Sequence, residues 1–582
     1  MSQTLAESPE SSLSPWARWL PWLIGLSFAL GFVPLGYLDG SAALLQRPDG
    51  DFIQHQTGIV GYLRDGWHWP LFHTRLLDAP QGSSLVFMDA LPGPSLLAKL
   101  VLTLTGIEIP VLGWWIFAVY LLQPVGMARL LRALGVTAAL PLLAGSLIAL
   151  ACSWFLWRFG HSALNGHFLL LFGLAWAVEA GRGADPRPAL TRLGLLALGC
   201  LFIHAYLFAM NAALFVLLAA GLALGRRVAW TWALAALALW LAATAGAMAL
   251  LGYFEFSKSL GGYGLYSMNL LSPFVPQMSG LWPDFAQQLW TPDRPPMGDW
   301  QVIAGVMPPP GAGGMLAATY GPYEGYAWFG FGLWPLLALA LALGWRGLPG
   351  QARRHWPLLL ATLGMAFYAA SPRFWVAYGP WFWLDIFPDA LKAFRSNGRF
   401  VWPLVYLLAA AAVAGVAPRL GRRWVAGALV VLTLVQLADA RLWYDRLWRL
   451  LRSETTFVLA AETWRPVIAA HERVLVQTKL FCRGTDWEVV RQAALHAAEV
   501  GRPIDEMHIS RGRDHNCRGE ALSLVGFRPP PRSLLILSGA FHRFLAGLLP
   551  PDVTASCRGF DGGLACSDLW DELEAAGTAI PR

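Results

Sequence analysis

The stretch VAWTWALAALALWLAATAGAMALLG at residues 228–252 contains no charged residue and directly follows Arg226 and Arg227. About 20 apolar residues in a helix cross the hydrocarbon core of a bilayer, so this stretch predicts a transmembrane helix. Basic residues tend to remain on the cytoplasmic side, so the two arginines also predict which end of the helix faces the cytoplasm. The stretch therefore indicates a membrane protein and gives it an orientation.

The composition of the whole chain agrees with a membrane protein. Hydrophobic residues make up 56% of its 582 residues, and only 14% are Asp, Glu, Lys or Arg, against roughly 25% in an ordinary soluble domain. This excludes a soluble enzyme and a disordered chain. The net charge of +7 does not indicate nucleic-acid binding, because the arginines lie between apolar runs and form no basic stripe. The 30 Trp and 40 Pro residues favour a polytopic protein with substantial loops at the membrane surface.

Comparable apolar stretches recur along the chain. They predict a mainly α-helical bundle of about eleven transmembrane helices, at approximately 19–38, 111–131, 137–156, 165–181, 192–210, 211–225, 228–252, 325–345, 356–371, 400–418 and 424–440. The stretch 192–225 is interpreted as two short spans that meet at Met210 and Asn211. The apolar stretch 91–106 is short and bounded by prolines, which favours a helix lying in the membrane interface.

The distribution of arginine orients the predicted module 19–440. With residues 1–18 in the cytoplasm, arginines lie in or beside five short cytoplasmic loops, at 132–136, 182–191, 226–227, 346–355 and 419–423. The opposite side receives three long loops, at 39–110, 253–324 and 372–399. Counting 91–106 as a span would break this alternation. The residues before the first apolar run include two Glu and no clear small-residue cleavage site, which favours an uncleaved first span over a signal peptide.

The region 441–582 differs from the rest of the chain, because it is charged and rich in arginine. An odd number of spans places it outside the cytoplasm. Its stretches RVLVQTKLF (473–481) and SLLILS (533–538) predict strands, and DWEVVRQAALHAAEV (486–500) predicts an amphipathic helix. The region is therefore predicted to be a periplasmic extramembrane α/β domain.

The cysteines support this location. Four of the six lie in the region 441–582, at Cys482, Cys517, Cys557 and Cys566. An even set in an oxidising compartment predicts two disulfides, and three pairings are open. We expect Cys152 and Cys200, within predicted spans, to be inert packing residues.

The first outer loop contains the most informative segment, PDGDFIQHQTGIVGYLRDGWHWPLFHT (48–74). Asp49 and Asp51 follow the first span and precede an amphipathic stretch that can lie at the headgroup level. A carboxylate held there can act as a general base towards a substrate whose other half is lipid. The alternative interpretation is that one of the two aspartates caps the helix that follows.

Polar residues at the predicted outer ends of spans three to five form a second group of candidates. They are His161, Asn165, His167, His204 and Tyr206. Ionisable and polar groups at membrane depth usually face a bundle interior or water, so we expect this group to line one substrate cavity. The alternative is that the histidines only pack and form hydrogen bonds inside the bundle.

Three charged residues precede the eighth and tenth spans. Glu324 lies in Tyr-Glu-Gly-Tyr and can provide a second carboxylate, orient an acceptor or bind a metal; its alternative role is to compensate a helix dipole. Arg395 and Arg399 bracket Ser-Asn-Gly on the outer side, against the positive-inside bias. Guanidinium groups bind phosphate bidentately, so this pair predicts a lipid-phosphate site, with snorkelling to headgroups as the alternative.

Two further features carry weaker predictions. The loop 253–324 contains segments rich in Gly, Tyr, Trp or Pro at 261–277, 298–300 and 308–314, which fit either a sugar-contacting lid or a structural cover. His508, Asp514 and His515 match no strong metal motif. The sequence is compatible with a divalent Mg or Mn ion but does not require one.

Several segments resemble a known class of membrane enzyme. They are GDFIQHQTGIVGYLRDGWHWPL (50–71), NGHFLLL (165–171), FIHAYLFAM (202–210), YEGYAWFGFG (323–332) and FRSNGRFVWP (394–403). The order of span, acidic outer loop, interface helices and second span resembles the GT-C superfamily of polytopic glycosyltransferases. More narrowly, the segments resemble a bacterial family of membrane proteins of unknown function placed in that superfamily.

The resemblance implies a GT-C-like bundle and a sugar donor carried on a polyprenyl phosphate. It implies that Asp51 is the catalytic base or a metal ligand, with Asp49 as the alternative. The predicted function is an inverting inner-membrane glycosyltransferase that acts on a glycan, lipid or protein acceptor at the periplasmic side. The rival predictions are a transporter or flippase of lipid-linked glycans, and a non-catalytic membrane scaffold that displays the C-terminal domain.

Overall fold

The computed structural model of the chain describes residues 15–255, 263–283, 322–376, 379–480, 482–510 and 516–581. The first group of helices in these ranges comprises α1 (Pro15–Phe32), α2 (Gly36–Asp39), α3 (Ala43–Gln46), α4 (Asp51–Arg64), α5 (Pro92–Thr105), α6 (Val111–Ala133), α7 (Ala139–Leu150), α8 (Ser153–Leu156), α9 (Phe168–Arg182), α10 (Arg187–Leu201), α11 (Ala205–Leu224) and α12 (Trp230–Leu251). Of the predicted cytoplasmic segment 1–18, residues 1–14 lie outside the described residues.

The second group begins after residue 322. It comprises α13 (Leu333–Gly344), α14 (Leu348–Arg354), α15 (Trp356–Ala370), α16 (Asp389–Lys392), α17 (Trp402–Val416), α18 (Arg423–Asp439), α19 (Arg441–Leu451), α20 (Ala461–Ala470), α21 (Trp487–Glu499), α22 (Cys517–Leu522), α23 (His542–Ala546), α24 (Pro551–Ala555) and α25 (Trp570–Ala575). Single 3-10 turns include Leu85–Phe87, Tyr253–Glu255, Pro322–Gly325 and Asn397–Val401.

The chain is a mainly helical, multi-pass membrane protein. Among the described residues, four helices are long and apolar enough to cross a membrane, at Val111–Ala133, Ala205–Leu224, Trp230–Leu251 and Asn397–Arg419. The number rises to six if each of two bent pairs is one span, namely Trp16–Phe32 with Gly36–Gln46 (82°) and Arg423–Asp439 with Arg441–Leu451 (46°). The eleven predicted spans are therefore not confirmed.

The difference arises because some apolar stretches form helices shorter than the stretch itself. The helices α7 and α13 have 12 residues each. A helix of that length covers about 18 Å, whereas the hydrocarbon core is ~30 Å thick. Hydropathy alone measures how apolar a stretch is and does not locate these ends.

The stretch 192–225 also differs from its prediction as two spans that meet at Met210. Instead, α10 ends at Leu201 and α11 continues unbroken to Leu224. The break occurs at His204, whose Nδ1 accepts a hydrogen bond from the backbone N–H of Tyr206 at 3.1 Å and so caps α11. The predicted interface stretch 91–106 does form a helix, α5.

The helical core is apolar, and some of its buried polar groups are paired with one another. The central helix α6 packs against α1, α7 and α9. Gln123 Nε2 and His167 Nδ1 each lie 2.9 Å from the Tyr406 hydroxyl. Because an unpaired buried polar group is costly, these contacts specify how the helices that carry them meet.

The strands of the described ranges lie in three small sheets. Two are antiparallel hairpins, formed by β1 (His73–Thr74) with β2 (Ser83–Ser84) and by β3 (Arg373–Val376) with β4 (Gly379–Trp383). The third contains β5 (Arg473–Gln477), β6 (Ser533–Ser538), β7 (Cys557–Phe560) and β8 (Gly563–Cys566) in the order β5-β6-β8-β7. Its pair β5-β6 is parallel and the other two pairs are antiparallel.

The C-terminal sheet and α21 match the strands and helix predicted from the pattern of this region. Val489, Val490, Ala493 and Ala497 of α21 are fully buried, whereas Trp487 is only partly buried. Disulfides join Cys482 to Cys517 and Cys557 to Cys566.

The C-terminal region is attached to the predicted first outer loop. The helix α21 packs against α4. Ile504 donates its N–H to Leu76 O and accepts from Ala79 N, both at 2.8 Å. Ser510 N donates to Phe87 O at 2.6 Å. These main-chain hydrogen bonds place α21 and the segment 504–510 beside the residues that the sequence marks as candidates.

Candidate active site

A cavity of about 390 Å³ opens between the loop that precedes α6, the ends of several helices and the C-terminal region. Its polar and charged lining includes Asp51, Gln54, Asp89, His161, His204, Tyr206, Glu324, Arg395, Arg399, Arg491 and His508. A concave space with several convergent ionisable groups is the usual setting for a binding or catalytic site.

Asp51 reaches this cavity because it is the first residue of α4. The preceding Gly50 has φ +56° and ψ −129°, a backbone conformation that favours glycine. No side chain caps this helix, so neither aspartate has the alternative capping role. Asp49 is exposed, accepts a hydrogen bond from Gly50 N at 2.6 Å and is absent from the described cavity lining.

Asp51 faces histidine and carries a negative charge at neutral pH. Its Oδ2 lies 3.4 Å from His161 Nδ1. Burial raises the pKa of Asp51, but the basic groups His161, His55, His508 and Arg491 outweigh burial and hold that pKa below its usual value. Burial lowers the pKa of His161 to about 4, so its imidazole is neutral at pH 7.

Asp89 is a second carboxylate in the cavity, and sequence reasoning missed it. Its Oδ1 lies 3.2 Å from His204 Nε2. Burial raises the pKa of Asp89, but His204, His55 and His161 outweigh burial, and the pKa falls well below its usual range. Its φ of +52° is uncommon for a residue with a side chain. The feature of the sequence that could have identified Asp89 is its position as an isolated acidic residue within the apolar stretch SLVFMDALPG.

Asp89 belongs to a group that fits a metal ion. One ligand atom from each of His55, Asp89 and His161 lies within 4.8 Å of the others. His55 is fully buried, and neither of its ring nitrogens has a hydrogen-bond partner among the described residues. Two imidazole nitrogens and one carboxylate oxygen suit Mn²⁺, Fe²⁺ or Zn²⁺ better than the all-oxygen shell that Mg²⁺ prefers.

Glu324 and Arg399 form a buried ion pair on another wall of the cavity. Arg399 Nε and Nη2 bind the two oxygens of Glu324 at 2.9 Å each, and Arg158 Nη1 also donates to Glu324. Burial raises the pKa of Glu324, but Arg399 and Arg158 outweigh burial and hold it well below its usual range. Arg158 precedes the predicted cavity residue His161 by three positions, but the sequence analysis did not select it as a candidate.

Arg395 differs from Arg399, although the sequence predicts one role for both. It lines the cavity beside Ser396, whose N–H donates to the Tyr206 hydroxyl at 2.9 Å. Arg395 makes no ion pair with any residue that the structure describes, whereas two donors of Arg399 are bound to Glu324. The donors of Arg395 are therefore available to a ligand.

Not every predicted cavity residue lines the cavity. His161, His204 and Tyr206 do, but Asn165 and His167 are absent from its described lining. Asn165 donates its N–H to His161 O at 3.1 Å, and the ring centroid of His167 lies 4.3 Å from that of Trp402. Both residues lie behind the cavity wall.

The weaker predictions fall partly outside the described residues. The segments 298–300 and 308–314 and residues 261–262 lie outside them, as do Asp514 and His515. Of the described part of loop 253–324, Tyr266 lines the cavity. His508 also lines it, with its ring centroid 5.3 Å from that of Trp487.

Comparisons with known proteins give a family and a likeness to solved structures. The family model described as Domain of unknown function (DUF6311) matches residues 22–441, which include Asp51 and Arg399 but not α21. A search of curated proteins finds no match. The chain is similar to the archaeal oligosaccharyltransferase AglB from Archaeoglobus fulgidus, in complex with an inhibitory peptide and a dolichol-phosphate. The sequence identity is 11%, the alignment covers 95% of this chain and 75% of that chain, and the TM-score of 0.40 carries no conclusion about activity.

Proposed function

The chain belongs to the Domain of unknown function (DUF6311) family, and we propose that it is a membrane glycosyltransferase. In this proposal it transfers a sugar from a polyprenyl-phosphate donor to a hydroxyl group of a glycan, lipid or protein acceptor. The observation that carries the proposal is that one cavity is lined by Asp51, whose Oδ2 lies 3.4 Å from His161 Nδ1, and by Arg395, which forms no ion pair with a described residue. A base can assist the attacking hydroxyl, and a phosphate-binding cation can assist the leaving group.

The residues divide the chemistry between them. Asp51 accepts or orients the proton of the acceptor hydroxyl as its oxygen attacks the anomeric carbon. The bond between that carbon and the lipid phosphate breaks, and a single displacement inverts the configuration of the sugar. Arg395 stabilises the charge on the departing phosphate. Arg399, which is paired with Glu324, has a positioning role in this proposal rather than the direct phosphate contact expected from the sequence.

His55, Asp89 and His161 would hold a divalent metal ion in this proposal. When bound, such an ion supplies Lewis-acid stabilisation of negative charge on a phosphate or attacking oxygen. His204 would then hold Asp89 in orientation through the contact of 3.2 Å.

The position of the cavity favours transfer over transport. A transporter of lipid-linked glycans is expected to have charged groups along the membrane midplane. The charged groups of this cavity lie elsewhere. Asp89 and Arg395 lie in loops, and Asp51 is the first residue of the loop helix α4. We further propose that the cavity faces the periplasm of a bacterial inner membrane, because the arginine-rich loops are at the other helix ends.

The test is a strain that lacks the protein, complemented with the wild-type chain, D51N or D49N. Mass spectrometry of surface glycans and lipid-linked sugars identifies the missing product even when donor and acceptor are unknown. We expect D51N to leave the product missing and its donor accumulated, and D49N to restore the product. Restoration by D51N at wild-type protein levels would contradict the assigned role. An unchanged glycan and lipid profile in the deletion strain would contradict the proposed function.

A further inference from the structure

The C-terminal region reaches the turn that carries Asp51. Arg491, in the second turn of α21, donates from Nη1 to the carbonyl oxygen of Gly50 at 3.2 Å. Its side chain is 15% exposed, and its guanidinium carbon lies 5.2 Å from the ring centroid of Trp487. Its ion-pair partner among the described residues is Glu488, at 3.5 Å. Gly50 is therefore the closest anchor of this guanidinium.

The turn at Gly50 is a place where an external contact can restrict the backbone. The φ and ψ angles of Gly50 lie in a region that glycine adopts readily and residues with a side chain rarely adopt. The helix that follows has no side-chain cap. Phe52 N donates to Asp49 O at 3.1 Å and Gly50 N donates to Asp49 Oδ1 at 2.6 Å, so these two hydrogen bonds lie within the turn and do not tie it to another part of the chain. A small rotation about Gly50 changes the direction of the first helical residue, which is Asp51.

Arg491 is not needed to attach the C-terminal region. That attachment is made separately by the main-chain hydrogen bonds of Ile504 to Leu76 and Ala79, and of Ser510 to Phe87. The buried face of α21 against α4 adds apolar contact. Loss of the guanidinium therefore leaves the two parts of the chain together but releases the Gly50 carbonyl.

We propose that Arg491 is a positioning residue that holds the Gly50–Asp51 turn and so aims the Asp51 carboxylate into the cavity. This inference rests on the proposed function, because the position of Asp51 affects catalysis only if Asp51 takes part in it. It makes the C-terminal region an integral part of the catalytic site. Displacement of a catalytic group by about 1 Å lowers the rate by about a hundredfold.

The test compares R491Q and R491K with R465Q in the full chain. Arg465 is a matched control, because it binds Glu499 at the other end of α21 with two contacts of 2.6 Å and does not touch Gly50. Transfer kinetics are measured with the donor and acceptor identified in the deletion strain. Hydrogen exchange is followed in the peptide that covers residues 47–57.

We expect R491Q to lower kcat about tenfold or more with little change in KM, and to speed exchange at residues 50–52. R491K keeps a cationic donor and recovers most of the lost kcat. R465Q lowers the midpoint of thermal unfolding but leaves kcat and this local exchange unchanged. Wild-type kcat in R491Q would overturn the inference while leaving the proposed function intact.

The exchange measurement keeps the two proposals separable. A wild-type chain without transfer activity towards any lipid-linked sugar contradicts the proposed function. Even then, unchanged exchange at residues 50–52 in R491Q overturns the inference, and faster exchange confined to this turn supports it.

Discussion

The cavity contains two groups of carboxylates with opposite surroundings. Glu324 is bound by Arg399 and Arg158, two cations that keep their charge at any physiological pH. Asp51 and Asp89 instead contact the imidazoles of His161 and His204.

We interpret this difference as a structural role for Glu324 and a chemical role for Asp51 and Asp89. A carboxylate whose oxygens are bound by two guanidinium groups has little capacity left for a proton or a metal ion. A carboxylate with one oxygen beside an imidazole keeps its other oxygen for a proton or a cation. The two groups should therefore respond differently when a charge is removed.

The largest expected effect is on stability, from E324Q. This change leaves Arg158 and Arg399 buried without their partner, which should lower the free energy of unfolding by about 3–5 kcal/mol. D51N should lower it by less, because Asp51 forms no ion pair with a guanidinium group among the described residues and its removal leaves no buried arginine without its partner. Thermal unfolding of the purified variants in one detergent measures both. Equal unfolding midpoints for E324Q and the wild type would contradict the structural role of Glu324.

The next effect is on activity, from D89N. Asparagine accepts a positive φ well, so the backbone at residue 89 should be retained while the charge is lost. We expect transfer to fall about a hundredfold, because Asp89 is one of the residues that would hold the metal ion at the reaction centre. Steady-state kinetics measure this loss. Full activity in D89N would restrict the chemical role to Asp51.

A smaller effect is expected on metal binding. The wild-type chain should bind one Mn²⁺ or Zn²⁺ ion, and H55A should weaken this binding about tenfold or more. Isothermal titration after removal of metal by a chelator gives affinity and stoichiometry. D49N serves as the control, because Asp49 is exposed and outside the group. The same affinity in H55A and the wild type would refute the site.

The smallest effect concerns Glu506. Its neighbouring cation is a lysine, rather than the guanidinium groups beside Glu324 or the imidazoles beside Asp51 and Asp89. It shares the single Lys479 with Asp505, at 3.8 Å and 2.7 Å from the ammonium nitrogen. Burial raises the pKa of Glu506 from 4.5 to about 8. The folded chain therefore retains this proton at pH 7, whereas the unfolded chain does not.

Raising the pH from 7 to 9 removes that proton and should lower the free energy of unfolding by about 1 kcal/mol. E506Q carries no titrating group there and should lose this part of the pH dependence. Unfolding midpoints across this pH window measure the slope, with the exposed Glu472 changed to Gln as the control. An E506Q slope equal to that of the wild type would show that other groups cause it.

The sequence predicted individual residues of the cavity better than it predicted their partners. Asp51, His204 and Arg395 were found from their positions after or before apolar stretches, and the structure brings them together. The pairing of Glu324 with Arg399 was not found, because 75 residues separate them and only the fold brings them into contact. Long-range pairs of this kind leave no local pattern.

Asp89 and His55 were missed for a related reason. Asp89 has no neighbouring polar motif, and His55 is one polar residue inside an amphipathic helix. The number of spans was not confirmed because some apolar stretches are longer than the helices they form, such as α7 and α13. Helix ends depend on tertiary contacts and caps, as His204 illustrates.

The contact of Arg491 with Gly50 joins residues 441 positions apart. During synthesis the first loop reaches the membrane surface long before α21 exists, so an intermediate chain lacks one wall of the cavity. Nascent or prematurely terminated chains would insert into the bilayer without a complete site. In such an order of assembly, the cavity is completed only after α21 has been synthesised, when the helices that precede it are already in place.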